Sequence, residues 1–335
     1  MLEIDGAYKS AGGQILRTAL ALSSLTQQPF TIQNIRKGRE EPGLKEQHLQ
    51  TVRAATKLCN ARIQGDKLYS TELSFTPNKI TNTDLEIDIA TAGSTALVLQ
   101  SLLIPGIKHN LNIHITGGGT FNLHAPSLIY IQKILIPLLQ KMDYKVFIEV
   151  KRHGFYPKGG AEIIIKTRKA SLKPMRLDER GGLKNICCYS YASDSLKNRN
   201  VAERQSSTAK KILNDNNIGI FNKYVQTICP GSGILLAAEF ENTFLGYDAV
   251  GERNKTAEMV GEEAALGLQK QINSKAVVDG FMSDQILPYL ALAKGKSIIK
   301  IPELTQHAET NIWLIKQFLN VDFRIKDNVI YVSPG

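Results

Sequence analysis

The chain has 335 residues, of which 43% are hydrophobic, and carries 41 Lys and Arg against 31 Asp and Glu, a formal net charge of +10. That length suffices for two domains, and no apolar run reaches the roughly 18 residues that would suggest a membrane span. The start, Met1-Leu2-Glu3-Ile4-Asp5-Gly6, lacks the charged and apolar regions of a secretory signal, so a soluble, cytoplasmic protein with a polyanionic partner is expected. Four cysteines occur without a CxxC pair, which argues against a zinc knuckle. Adjacent Cys187 and Cys188 would face opposite sides of a strand, and all four read as reduced, mostly buried residues.

In chain order, Gly12-Gly13 opens an apolar helix running through Leu22, broken at Gln28-Pro29 and followed by the strand Phe30-Thr31-Ile32. A second helix is expected over 46–58. The polar residues Gln14, Arg17, Arg36, Arg39, Lys45 and His48 surround two glycine-bearing turns in this region. They form either a solvated basic edge or a phosphate clamp, since arginine's fork matches phosphate oxygens. The same grammar recurs from Ala92-Gly93-Ser94 through Leu103, a break at Pro105-Gly106 and the strand 111–115. It recurs again from Ser283-Asp284 through Ala293, a break at Gly295 and the strand 297–301. Further helices are expected over 127–141 and 309–319, and a strand over 144–150. The run Thr116-Gly117-Gly118-Gly119-Thr120 follows a strand but has neither Walker nor dinucleotide spacing.

Repeated units at wide separation indicate a domain assembled from α/β blocks. Residues 183–274 break the pattern and have their own strand candidates, 185–191 and 233–239, and helix candidates, 201–214 and 257–271. The expected organisation is a large discontinuous domain, 1–182 with 275–335, and a smaller inserted α/β domain, 183–274.

Three stretches carry possible chemistry. Arg152-His153-Gly154-Phe155-Tyr156-Pro157-Lys158-Gly159-Gly160 is a basic turn into a strand whose glycine N–H groups and cations could seat an anion. Phe281, Met282, Ser283, Asp284 and Gln285 bring an aromatic face, a carboxylate and an amide to a helix start, with Asp284 the expected cap. His307 lies at a strand-to-helix corner ahead of a helix expected near Glu309, whose N-terminus would favour a phosphate.

Together these blocks resemble the RNA 3′-terminal phosphate cyclases across almost the whole chain. The resemblance rests on Gly12-Gly13-Gln14-Ile15-Leu16-Arg17, Ile35-Arg36-Lys37-Gly38-Arg39 with Pro42-Gly43-Leu44, and Gln47-His48-Leu49. It continues through Ala92-Gly93-Ser94 with Leu97-Val98-Leu99-Gln100, the run from Arg152 to Gly160, Ser283-Asp284-Gln285, and His307 with Thr310-Asn311. It implies an α/β (α+β) fold with repeated units like those of the enolpyruvyl transferases. It also implies ATP-dependent conversion of an RNA 3′-terminal phosphate to a 2′,3′-cyclic phosphate, through a histidine–AMP on His307 and an RNA-adenylate. Gln100 and 281–285 would line the nucleotide pocket, with adenine between Pro126 and Phe281 and Tyr130 beside it. Gln14, Arg17, Arg39 and His48 would approach phosphate, and a divalent metal, Mg²⁺ or Mn²⁺, would assist. Ser10 stands where many members carry a metal-holding glutamate, and a hydroxyl is a poorer ligand for a hard cation. The alternatives are a non-catalytic cyclase-like RNA-binding protein of ribosome assembly, which would lack the histidine, and an enolpyruvyl transferase.

Overall fold

The computed structural model describes residues 1–9, 12–215 and 217–335. In the first unit, β1 (Leu2–Asp5) leads to α1 (Gly13–Thr26), then β2 (Phe30–Gln33), α2 (Glu46–Cys59), β3 (Arg62–Gln64) and β4 (Leu73–Thr76). Its sheet has the order β1-β2-β4-β3, with the β1/β2 pair parallel and the others antiparallel. The second unit repeats this path. It comprises β5 (Asp84–Ser94), α3 (Thr95–Leu103), β6 (Asn112–Gly119), α4 (Leu128–Tyr130) continued by a π-helical 131–135 into α5 (Ile136–Lys141), β7 (Val146–Arg152) and β8 (Glu162–Thr167). Its order is β5-β6-β8-β7 with the same pattern of directions.

The third unit begins at β9 (Arg176–Leu177) and is then interrupted. Between its first strand and first helix come β10 (Leu183–Ser193), α6 (Val201–Leu213), β11 (Gly219–Val225), β12 (Ser232–Phe240), β13 (Phe244–Val250) and α7 (Ala257–Asn273). These strands form a separate mixed sheet, β11-β10-β12-β13. The unit resumes with α8 (Met282–Gln285), α9 (Leu287–Leu292), β14 (Ser297–Lys300), α10 (Gln306–Phe318), β15 (Val321–Lys326) and β16 (Val329–Pro334). The order β9-β14-β16-β15 matches the other two units strand for strand. The result is a mixed α/β fold.

Side-chain patterning explains the layering. In β5, Leu85, Ile87 and Ile89 are buried while Asp84, Glu86 and Asp88 are exposed, the alternation of a sheet with one face in solvent. In α1, Ile15, Leu16, Ala19, Leu20 and Leu22 are all buried, as in a helix enclosed by others. α1 packs against α2, α3 and α10, so helices lie inside and sheets outside. The interrupting segment has its own core around Ile186, Cys188, Ile234, Leu236, Ala264 and Leu268. From the opposite face of β12, Leu235 and Ala237 join the large core.

Two expectations shift by a few residues. The last helix starts at Gln306, because the Thr305 hydroxyl accepts from the Ala308 N–H and caps it there; His307 therefore sits in the helical first turn. The glycines of 117–119 lie within β6 instead of after it, and Gly117 and Gly118 adopt positive φ of 77° and 74°. The cysteines are free, with Cys188 buried and Cys187 half-buried on opposite faces of β10. Among the described residues, no helix is long and apolar enough to cross a membrane.

Candidate active site

The first turns of α1, α3, α8 and α10, with the entry to α4, converge on a cleft of about 190 Å³. Polar side chains lock these turns together. Thr18 Oγ1 donates to Asn311 Oδ1 at 3.0 Å, joining α1 to α10. Asn311 Nδ2 donates to the Asp284 carbonyl at 2.9 Å, joining α10 to α8. Gln100 Nε2 donates to Gln285 Oε1 at 2.7 Å, joining α3 to α8.

His307 faces this cleft, with Nδ1 hydrogen-bonded to Gln14 Oε1. The other end of the same amide, Nε2, donates to Asp284 Oδ2 at 2.5 Å. When ionised, Asp284 can only accept, so the Gln14 NH₂ turns to it and the amide oxygen turns to the imidazole. That orientation requires the His307 proton on Nδ1 and leaves Nε2 with a free lone pair. Burial, together with the charges of Arg17 and Arg39, lowers the His307 pKa from its ordinary 6.5, which keeps the ring neutral at pH 7. Burial pushes the Asp284 carboxyl up to about 7, against the pull of Arg17.

Arg17 lines the cleft one turn beyond Gln14, and desolvation lowers its pKa to about 10, so it remains a cation. His48 stands beside it: a Cβ added at Gly13 would collide with His48 Nε2 and come within 3.0 Å of an Arg17 guanidinium nitrogen. His48 Nδ1 accepts from the Lys45 N–H at 3.0 Å, so its proton resides on Nε2. Burial first, then Arg17, Arg36 and Lys45, lowers its pKa to about 3, making it a neutral donor. Arg39 is exposed on the preceding turn, and its charge reaches His307. Arg36 closes that turn by donating to the carbonyls of Glu41 and Gly43 at 2.8 and 2.9 Å.

The apolar wall of the cleft contains Pro126 and Phe281, the latter 43% exposed. Tyr130 is buried behind Phe281, edge-on with ring centroids 6.3 Å apart. Its hydroxyl donates to Asp279 Oδ1 at 2.6 Å. Asp279, missed in the sequence, is fully buried and accepts from the N–H groups of Phe281, Met282 and Gly246. It caps α8, the role expected of Asp284, and ties β13 to the aromatic wall. Its position just before a Gly was the available signal.

Of the candidate residues, Gln14, Arg17, Gln100, Pro126, Phe281, Asp284, Gln285 and His307 line the cleft together. Met282 and Ser283 do not: the turn of α8 directs both into the core, where they are fully buried. Tyr130, His48 and Arg39 flank it. Thr18, His124, Tyr289 and Asn311 line it without having been singled out for the pocket.

Much of the 152–160 run is engaged internally, with Lys158 exposed. Arg152 Nε donates to the Gly160 carbonyl at 2.7 Å, and Gly159 N–H donates to the Phe155 carbonyl at 2.7 Å. His153 is buried against the Thr120 hydroxyl at 3.0 Å, and Phe155 stacks on Phe121. Gly159 lies where a Cβ would be 2.9 Å from the carbonyl oxygens of Gly118 and Thr91. The run is a joint between backbone segments, and none of it lines the cleft.

A family model described as RNA 3′-terminal phosphate cyclase matches residues 8–325. The chain belongs to the RNA 3′-terminal phosphate cyclase family. It is an enzyme of that family. A curated relative named RNA 3′-terminal phosphate cyclase from Sulfurisphaera tokodaii is 44% identical over 330 residues, covering 97% of this chain and 96% of the relative. Relatives of the same name from Saccharolobus solfataricus and Thermococcus onnurineus are 41% and 39% identical, covering 97% and 98% of this chain and 96% of each relative.

Among the described residues, no group of three or more His, Cys, Asp or Glu could enclose a metal ion. The carboxylate of the cleft, Asp284, is already engaged by Gln14. The expected departure at Ser10 lies outside the described residues. By themselves the described residues of the cleft do not enclose a divalent cation.

Proposed function

We propose that this enzyme uses ATP to convert an RNA 3′-terminal phosphate to a 2′,3′-cyclic phosphate, with His307 as a covalent nucleophile. The observation that carries this is the Asp284–Gln14–His307 chain, which holds the proton on Nδ1 and leaves Nε2 free. A neutral imidazole in a cleft beside a retained guanidinium suits attack on the α-phosphorus of ATP. Nε2 forms the P–N bond as the bond to the pyrophosphate oxygen breaks. The Nδ1–H bonded to Gln14 then stabilises the charge that develops on the ring. Arg17, the His48 Nε2–H and the N-terminus of α10 offset charge on the phosphate oxygens. Pro126 and Phe281 would clasp the adenine.

AMP next passes from Nε2 to the 3′-phosphate of the RNA, freeing the imidazole. A phosphate monoester dianion is a poor electrophile, and adenylylation turns it into a centre with a good leaving group. The neighbouring 2′-oxygen attacks that phosphorus, AMP departs, and the cyclic phosphate remains.

Incubation with α-labelled ATP and a divalent metal salt tests the reading. Acid-labile label on the parent protein and none on His307→Ala is the expected result. Equal label on both proteins overturns the assignment of the nucleophile.

A further inference from the structure

Three sheets built alike present three outer faces, and only one is cationic. In the first unit that face carries Glu3, Asp5 and Arg62 among neutral residues. In the second, Asp84, Glu86, Asp88, Glu149 and Glu162 outnumber Lys151, Arg152 and Lys166, with a Lys151–Glu149 pair at 2.5 Å and Arg152 opposite Glu162. In the third, Lys296, Lys300, Arg324 and Lys326 are grouped. None of the four has a carboxylate within ion-pair distance among the described residues. Asp322 lies 3.9 Å from Lys316, and Arg176 pairs with Asp178. The architecture is constant, so it does not demand those charges.

The register arranges them around one aromatic ring, Tyr331, and the aliphatic Val329 and Ile298. Tyr331, 40% exposed, lies between Arg324 and Ile298, and Val329 lies between Lys326 and Lys300. Lys296, Ile298, Arg324, Lys326 and Tyr331 line a depression of about 490 Å³ on this face, with Asp322 its one carboxylate. Both β14 and β15 run antiparallel to β16, so Lys300 and Lys326 end at the same edge. From that edge the chain runs directly into α10 and His307. Six residues separate Lys300 from His307, so the seven steps span at most about 25 Å of chain.

We propose that the outer face of the β9-β14-β16-β15 sheet is a docking platform for the single-stranded body of the RNA, 5′ of the end held in the cleft. The proposal rests on reading the cleft as the site of an RNA 3′ end. An exposed ring flanked by cations that have no acidic partner is what stacked bases and a phosphate chain require. A folded acidic protein would meet the same charges but would leave the Tyr331 ring without a base to stack on.

Two measurements test this. The first uses an oligonucleotide of about fifteen nucleotides with a 3′-hydroxyl, within the site size of stacking platforms, and follows its anisotropy with the whole protein across a salt series. Tyr331→Ala is expected to weaken binding roughly tenfold, the scale of one base left unstacked. Arg324→Gln with Lys326→Gln is expected to flatten the log–log salt slope by about 0.7 for each phosphate that is no longer neutralised. The second compares KM for that oligonucleotide and for a trinucleotide, both bearing a 3′-phosphate. KM for the longer RNA should rise about as much as its binding weakens, with the trinucleotide and histidine labelling unchanged.

Equal effects on both substrates, or parent-like binding by both variants, overturn the platform. The latter outcome would leave a protein partner as the occupant. The hydroxyl-ended RNA cannot react, so the binding arm stands even if His307 labelling fails. Failed labelling with intact binding would count against the nucleophile alone.

Discussion

Two glycine-bearing cationic stretches, 12–17 and 152–160, look alike in one dimension and diverge in three. At 152–160 the Arg152 Nε–H and the Gly159 N–H are taken up by nearby backbone carbonyls, and the histidine is buried against a threonine. At 12–17 the missing Cβ of Gly13 makes room for His48, while Gln14 and Arg17 point into the cleft. A cation beside glycines becomes a candidate anion site only when no carbonyl has already claimed its donors.

The sharpest way to break that contrast is at Gln14. Gln14→Ala should lower the rate of histidine labelling on the order of 10²-fold, the scale of a misplaced proton-carrying group. A rate within a few-fold of the parent would refute its role in setting the His307 tautomer. Protonation of the His307 ring itself, followed by NMR, should have its midpoint below pH 6.5, because burial and the charges of Arg17 and Arg39 lower its pKa. A midpoint above 6.5 would contradict this.

Gly13→Ala should follow, since the added methyl displaces His48 from Arg17. Labelling is expected to fall roughly tenfold, about 1.4 kcal/mol of transition-state stabilisation.

Asp284→Asn separates stability from function in the same region. Burial raises the folded pKa from 3.8 to about 7, so the folded state binds more protons than the unfolded state between those values. Stability therefore falls as pH rises from about 4 to 7, by up to about 1.4 kcal/mol per unit. The asparagine variant should melt higher than the parent at pH 8, and the advantage should vanish near pH 4. An equal difference at both pH values would show that Asp284 is not held at cost.

At the other stretch the expected effects are on folding. Gly159→Ala forces a residue at φ +68° against backbone oxygen and should lower stability by roughly 1–3 kcal/mol in a denaturant melt. Arg152→Ala should leave histidine labelling within about twofold, since surface contacts of this kind contribute little. A large drop would restore this run to the phosphate site.

Much of the fold was legible in local pattern. Apolar runs marked α1 and α3, and the glycine or capping residues before them marked where those helices begin, whereas β5 was not singled out although Leu85, Ile87 and Ile89 alternate with acidic residues. One helix–strand pair from each of the three units was visible for the same reason. The edge strand β11 was not, because Ile220, Phe221 and Lys223 are exposed and lack alternation. The start of α10 was misjudged by a few residues because the Thr305 cap was overlooked.

The sequence by itself determined which side chains were available: a histidine near a helix start, glutamines and arginines in first turns, an aromatic beside a carboxylate. Local chain physics sets those features, since caps, periodicity and glycine placement act within a few residues. Tertiary structure alone decided which of them meet. Gln14 and His307 are 293 positions apart and touch only because α1 packs against α10. The same packing half-buries Asp284 beside them and leaves Arg152 to its own loop. Charge, proton position and exposure are properties of neighbours, and the distant neighbours exist only after the three units close on one another.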